Sequence, residues 1–179
     1  MRPEFAHLET NADLDRAESL NIADAMSWAL SQEWTPASLL QSGAIREVHQ
    51  QMLGEVWVWA GTFRTRDVNI GNCPSEQVPV RMEQILGNFA FQIEAGRPAA
   101  DVCTEFHHAL TQVHAFVNGN GRHARLVTEL LAEALGLDPE SLTWGGGYED
   151  AEKRRDAYLD ALRLADQGDC GSLREFMFN

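Results

Sequence analysis

The chain of 179 residues is predicted to fold as one mostly α-helical domain with a small β-hairpin. Apolar residues recur at helical spacing over most of its length, and an extended pattern appears in a single short stretch. No internal repeat, low-complexity tract or linker divides the chain, and its length suits one domain with a sizeable core. The domain is therefore expected over residues 1–179, with its core at about 14–176.

Helical signals give the expected order of elements. Each expected helix combines apolar residues three or four apart with few internal glycines or prolines. Thr35 before Pro36 is typical of an N-cap followed by proline at the first helical position. Gly136 is typical of the residue that follows a helix. The expected helices are 13–30, 35–43, 45–53, 81–96, 101–113, 122–135, 149–167 and a final short helix or turn at 172–176.

The segment from Arg64 to Val80 is the exception to this helical pattern. Apolar and polar residues alternate from Val68 to Ile70, and the turn-forming pair Gly71 and Asn72 follows. A second short extended piece is expected at 78–80. Together these signals predict a β-hairpin over about 64–80.

Composition excludes several classes of partner. The chain has 14 Lys and Arg against 27 Asp and Glu, a formal net charge of -13. Nucleic acid and anionic membranes need a basic face, so neither partner is expected. No signal peptide or membrane-spanning run is visible. The three cysteines are far apart and without a CxxC pair, as in reduced cytosolic proteins. A cytoplasmic location is expected.

The most informative stretch is 114–125, which combines a proton acceptor, a glycine loop and two arginines. Glycines at 119 and 121 let the backbone approach an anion closely. Successive N–H groups at the start of a helix bind anions. Arg122 and Arg125 share a helical face and could clamp phosphate oxygens. His114 suits a general base. The pattern indicates a phosphate chain held beside a base.

This stretch, His-Ala-Phe-Val-Asn-Gly-Asn-Gly-Arg-His-Ala-Arg, resembles the signature of the Fic family (filamentation induced by cyclic AMP), His-x-Phe-x-Asp/Glu-Gly-Asn-Gly-Arg-x-x-Arg. The likeness continues at 57–64 (Trp-Val-Trp-Ala-Gly-Thr-Phe-Arg), at 106–108 and at 155–162. Residues from about 14 to 176 look most like a bacterial branch called mobile mystery protein B, which also carries asparagine at the acidic position. The resemblance implies a single Fic-type helical domain.

The resemblance also implies an activity, the transfer of AMP from ATP to a Tyr, Ser or Thr hydroxyl of a target protein. His114 would deprotonate the hydroxyl, and Phe116 would anchor the loop in the core. The nucleotide phosphates would be held by Gly119, Asn120, Gly121, Arg122 and Arg125. This agrees with the physical interpretation, because phosphoryl chemistry depends mostly on positioning and electrostatics.

Asn118 stands where the family carries the acidic residue that holds magnesium. An amide offers one neutral oxygen, so Asn118 is expected to bind Mg²⁺ weakly, directly or through water, with the ion arriving on ATP. The rival role for Asn118 is to cap the loop by hydrogen-bonding backbone.

The expected hairpin resembles the family's flap, where Val68, Asn69, Ile70 and Gly71 would receive a target segment as an added strand. The competing interpretation is an ordinary hairpin that covers the core.

Two residues near the loop each allow two roles. His107 either lines the site or is a satisfied buried polar residue. Arg125 either contacts phosphate or pairs with Glu129 at i+4.

Regulation and the exact reaction are also open to more than one interpretation. The inhibitory pattern Ser/Thr-x-x-x-Glu-Gly/Asn of many Fic proteins does not occur, which favours an inhibitory partner in trans, as in a toxin–antitoxin pair. The functions that compete with adenylyl transfer are phosphoryl or other nucleotidyl transfer, and a catalytically weak module that binds nucleotide or protein.

Overall fold

A computed structural model describes residues 1–3 and 10–179 of the chain. The regular elements of that part are helical, with 3₁₀ turns at Ser75–Gln77 and Pro139–Ser141. The helices are α1 Asn11–Leu30, α2 Pro36–Leu39, α3 Ser42–Leu53, α4 Val78–Glu94, α5 Ala99–Val113, α6 Asn120–Ala134, α7 Ala151–Asp166 and α8 Gly171–Phe178.

Side-chain caps determine where several helices begin. Thr10 accepts a hydrogen bond from the N–H of Asp13 at the start of α1. Thr35 and Ser38 form a reciprocal capping box at α2. Asp150 accepts two N–H groups at the start of α7. Each cap satisfies donors that the first helical turn leaves without an acceptor.

Helix α5 occupies the centre of the domain and packs against α4, α6 and α8. Phe106 on α5 is fully buried and meets Phe89 of α4 edge to face, with ring centroids 5.3 Å apart. A smaller apolar cluster joins α7 and α8 around Leu173 and Met177. Helices α5 and α6 also pack against each other, and the loop 114–119 connects the end of α5 to the start of α6.

The β-hairpin expected over 64–80 is wrong, since residues 1–3 and 10–179 contain no strand. Val78 begins α4, and Pro79 lies in the first turn of that helix, where its missing N–H costs nothing. The loop 64–74, which precedes α4, donates backbone N–H groups to carbonyls in the last turn of α5 and just beyond it. It does not pair with a second strand. Arg64 donates to the carbonyl of Ala115 (2.9 Å) and Asn72 to that of Gln112 (3.3 Å).

Within the same described ranges, no helix is both long and apolar enough to cross a membrane.

Candidate active site

His114 ends α5 in the left-handed conformation, with φ 49° and ψ 58°. For a residue with a Cβ this conformation costs about 1–2 kcal/mol, so the surroundings must hold it there. The side chain is half-buried. Burial, followed by the charge of Arg64, lowers the pKa of His114 from its ordinary value of 6.5. The imidazole is therefore neutral near pH 7, as a proton acceptor must be.

The side chain of Asn120 is turned into the loop. Its Oδ1 accepts the N–H of Phe116 and its Nδ2 donates to the carbonyl of Phe116, both at 2.8 Å. Asn120 is 5% exposed, and the ring of Phe116 is buried in the core. Asn120 therefore holds the loop with its side chain and can offer an anion only its backbone N–H.

Gly119 starts α6 with φ 78°, a conformation that favours glycine. A Cβ at Gly119 would lie 2.6 Å from Cδ1 of Leu53, so the loop and α3 approach too closely for a side chain. The N–H of Gly119 donates to Oδ1 of Asn118 (2.7 Å). The first intrahelical bond runs from His123 to the carbonyl of Gly119, so the N–H groups of 120–122 have no acceptor within the helix. N–H groups without an intrahelical acceptor at a helix N-terminus are able to bind an anion.

His49 holds this loop from the opposite side, and sequence reasoning missed it. Its ring stacks on Phe116, with centroids 3.7 Å apart. Nδ1 accepts the N–H of Gly61 at 2.9 Å, which leaves Nε2 as the donor to the carbonyl of Asn118 at 3.0 Å. Burial lowers the pKa of His49 to about 4, consistent with this neutral form. An isolated histidine on an apolar helical face gave no sequence signal for this clamp.

Arg122 contacts a second residue that sequence reasoning missed. Its Nη2 donates to Oε2 of Glu18 on α1 at 2.8 Å, and the other oxygen of Glu18 accepts from the indole of Trp57 at 2.7 Å. The Glu18 side chain is 6% exposed and that of Arg122 is 44% exposed. Arg122, on the first turn of α6, thus forms an ion pair with Glu18, a residue 104 positions earlier in the same chain.

Arg125 is held by aromatic rings. Its guanidinium carbon lies 4.8 Å from the ring centroid of Trp144 and 5.9 Å from that of Tyr158. Glu129, the expected i+4 partner, instead accepts from the indole of Trp144 at 2.7 Å. No hydrogen bond or ion pair joins Arg125 to Glu129 in the part of the chain that the structure describes. Stacking orients the guanidinium and leaves its edge for a ligand.

His107 is a satisfied buried residue and lines neither of the cavities described below. It is fully buried, and its Nε2 lies 2.8 Å from the hydroxyl of Tyr158. Burial lowers the pKa of His107 to about 3. A third buried histidine, His123, has its Nε2 2.8 Å from the carbonyl of Ile45. Burial lowers its pKa to about 3 as well.

Two cavities meet at Gly121 and Tyr158, which line both of them. The larger cavity, about 460 Å³, contains His114 together with Ile70, Gly71, Leu162 and Asp166. The smaller, about 290 Å³, contains Arg122, Arg125, Glu129, Ile22 and Met26. A proton acceptor therefore lies on one side of the α6 N-terminus and two arginines on the other.

The structure brings only part of the expected flap to this site. Ile70 and Gly71 line the larger cavity, and Ile70 is 64% exposed. Val68 and Asn69 belong to the same loop but do not line that cavity. A Cβ at Gly71 would lie 2.9 Å from Cβ of His114, so this loop rests directly on the end of α5.

The buried amide of Asn120 yields a stability prediction. Asn120→Ala leaves the N–H and carbonyl of Phe116 unsatisfied, and should lower the free energy of unfolding by about 2–3 kcal/mol. Urea unfolding measures this, with Asn69→Ala as the control, because Asn69 is exposed. Equal stability of the two variants would show that the loop does not depend on Asn120.

Known proteins resemble this chain in sequence and in fold. The Fic/DOC family profile matches residues 39–132. A relative named protein adenylyltransferase Fic, from Drosophila willistoni, is 25% identical over 172 residues, covering 90% of this chain and 33% of its own length. The chain thus spans about a third of the length of the curated relatives it matches.

Solved structures agree with the helical arrangement. Fic-1 (residues 134–508) from C. elegans superposes with a TM-score of 0.70 at 23% identity, over 89% of this chain and 46% of that one. The N-terminal Fic domain of a VirB-translocated Bep effector protein from Bartonella quintana, solved with bound ADP, gives 0.69 at 14% identity, over 96% and 86%.

The fold and the stretch 114–125, which contains the loop 114–119 and the start of α6, define a helical domain of the Fic type. The chain belongs to the Fic/DOC family. Its placement in the mobile mystery protein B branch stays a prediction from the sequence.

Proposed function

We propose that this chain is a protein adenylyltransferase that transfers AMP from ATP to a Tyr, Ser or Thr hydroxyl of a target protein. The observation that carries the proposal is a pair of cavities that share Gly121 and Tyr158, with His114 in one and two arginines in the other, beside the N-terminus of α6. The name of the Drosophila relative supports the same reaction, and the ADP-bound Bartonella domain supports a nucleotide as ligand.

In this proposal the nucleotide spans both cavities. The triphosphate tail carries the negative charge and belongs with Arg122 and Arg125. The nucleoside fits the larger cavity, whose walls combine apolar Leu162 with polar Asp166. The α-phosphate then lies at the junction, where Gly121 has open space around its Cα and the N–H groups of 120–122 face an anion.

The transfer step follows from this placement. The target hydroxyl oxygen bonds to the α-phosphorus while His114 accepts the hydroxyl proton. The bond from the α-phosphorus to the β-phosphate oxygen breaks, and pyrophosphate leaves towards the arginines. The helix N-terminus stabilises the charge that develops on the α-phosphate oxygens. Positioning by two fixed helices supplies the remaining rate enhancement.

Magnesium does not fit the donors of this chain as a resident ion. Oδ1 of Asn118 already accepts the N–H of Gly119, which agrees with a loop-capping role for this side chain. The carboxylates nearest the arginines, Glu18 and Glu129, accept from Trp57 and Trp144. Among the residues described, no three His, Cys, Asp or Glu side chains form a metal site. Mg²⁺ would therefore arrive on the ATP phosphates, and none of the residues assigned to the steps above is assigned to hold it.

Asn118→Asp tests this view of the metal. A carboxylate can keep the bond to Gly119 and still offer a second, charged oxygen, the ligand type that Mg²⁺ prefers. We expect half-maximal transfer at a magnesium concentration lower by about threefold or more, since metal affinity rises with ligand charge. Transfer is measured across a magnesium titration, with Asn88→Asp as the control for added charge, because Asn88 is exposed on α4 and lines neither cavity. An unchanged titration would show that position 118 does not approach the metal.

One experiment separates this proposal from its competitors. The chain is incubated with an extract of the cells that produce it and with ATP labelled at either the α- or the γ-phosphate. The proteins are then separated, and the label in each is measured. Adenylyl transfer labels protein from α-labelled ATP alone, and phosphoryl transfer labels it from γ-labelled ATP. No label from either, with nucleotide bound by calorimetry, would favour a binding module.

A finer part of the proposal is the place where the target protein presents its hydroxyl. We propose that its hydroxyl enters beside Ile70 and Gly71, which border His114 in the larger cavity.

A cytoplasmic location is supported by three free cysteines, Cys73, Cys103 and Cys170. An inhibitory partner in trans, as in a toxin–antitoxin pair, stays a prediction, and the pairing of Glu18 with Arg122 offers restraint within the chain.

A further inference from the structure

The loop 64–74 closes the carbonyl end of α5. The last carbonyls of a helix have no intrahelical donor, and they usually meet water or a capping group. Here the carbonyls of Gln112 and Val113, in the last turn of α5, and those of His114 and Ala115, which follow it, all receive donors from this loop. Asn72 contributes one backbone N–H, and Arg64 contributes the others.

Arg64 supplies an unusual number of these bonds. Its backbone N–H reaches Ala115 at 2.9 Å. Its guanidinium donates to the carbonyl of His114 through Nε (2.7 Å) and to that of Val113 through Nη2 (3.3 Å). The same group ties down its own loop by donating to the carbonyls of Arg66 (3.1 Å) and Cys73. The residue is 3% exposed.

A buried guanidinium with these partners has a clear electrostatic role. Among the described residues its one ion pair is with Asp67, at 3.6 Å, and that side chain is 74% exposed. The positive charge is instead stabilised by carbonyl dipoles at the negative end of α5. A guanidinium is planar and carries five donors in a fixed fork, so it can hold several carbonyls in one geometry. A lysine ammonium at the same place cannot.

We infer that Arg64 is the positioning residue for His114, holding its backbone in the left-handed conformation so that the imidazole faces the larger cavity. This inference rests on the proposed function, in which His114 is the base. The sequence pattern assigned Arg64 no role beyond its place in the stretch 57–64.

The charge of Arg64 acts on the same imidazole. Titratable and charged groups face His114 in the cavity from α7, namely Tyr158, Arg163 and Asp166, and Arg64 faces it from the loop. Asp166 is bonded to His108 and Gln112. Arg163 lies beside Asp160. Of these groups, Arg64 is the one whose charge lowers the pKa of His114.

Arg64→Lys tests the positioning role. It keeps the charge and loses the fork, so we expect kcat for adenylyl transfer to fall by about 10- to 100-fold, as for a small misplacement of a reacting group. KM for ATP should stay within about threefold, because Arg64 lies outside the arginine cavity. Arg46→Lys is the matched control, since the guanidinium of Arg46 likewise donates to a backbone carbonyl, that of Gly61 (2.8 Å). Wild-type kcat in Arg64→Lys would overturn the inference.

NMR of His114 gives a readout that does not depend on transfer. In the unmodified chain the imidazole should titrate below 6.5, and in Arg64→Gln its pKa should rise towards that value. In Arg64→Lys the backbone shifts of 113–115 should move while the imidazole pKa stays close to wild type. Backbone chemical shifts that place His114 of the unmodified chain outside the left-handed conformation would overturn the inference even if neither variant folds. If the proposed reaction fails while these shifts appear, the positioning role stands and the assigned chemistry is wrong.

Discussion

Replacing His114 by alanine is expected to lower adenylyl transfer by about 10²–10⁴-fold, the usual contribution of a general base. The variant removes the proton acceptor and leaves the cradle in place, because the N–H groups of 120–122 and both arginines lie on α6. Affinity for ATP, measured by calorimetry, should therefore stay within about threefold of wild type. Near-full transfer by His114→Ala would rule out the mechanism.

The pH dependence of kcat/KM provides an independent check on the same residue. His114 accepts a proton only when neutral, and its pKa lies below 6.5. Transfer should therefore fall as the pH drops, and its half-maximal point should lie below pH 6.5. A half-maximal point at or above pH 6.5 would mean that another group limits the reaction.

Changes at Arg122 and at its partner Glu18 are expected to move nucleotide affinity in opposite directions. Arg122→Ala removes charge-assisted bonds to phosphate and should weaken ATP binding by about 10- to 100-fold. Glu18→Gln removes the carboxylate that occupies Arg122 while keeping an oxygen for the indole of Trp57. It should tighten binding by about threefold to tenfold, since Arg122 is partly exposed and the pair is screened.

Glu55→Gln is the control for net charge, because Glu55 is exposed. Calorimetry with ATP measures all three variants. If Glu18→Gln binds no tighter than Glu55→Gln, the ion pair does not compete with phosphate. If Arg122→Ala binds as well as wild type, Arg122 does not face the nucleotide, and the placement of the triphosphate tail in the smaller cavity is wrong.

The sequence predicted features that depend on neighbouring residues. Most helices followed from local spacing and caps, as at Thr35, and the loop 114–119 fell between two of them. The histidine, glycines and arginines of the site were recognisable because they lie within twelve residues. Their chemistry as a nucleotide site is still a proposal, but their proximity needed no long-range information.

Long-range contacts explain what the sequence did not reveal. Glu18 meets Arg122 across 104 residues, and His49 meets the carbonyl of Asn118 across 69. Neither pair leaves a local pattern. The predicted hairpin was wrong because its local pattern fits two structures. Pro79 suits both an edge strand and a first helical turn, and the structure places it in the first turn of α4.

The buried neutral histidines link the fold to acidity. His49, His107 and His123 have pKa values lowered to about 4, 3 and 3 from an ordinary 6.5. In the unfolded chain all three take up protons as the pH falls below 6.5, and in the folded chain they do not. Acidification from pH 6.5 towards 4 therefore draws the equilibrium towards the unfolded chain. Because His49 clamps the loop 114–119, the proposed site and the fold would be lost together in acid.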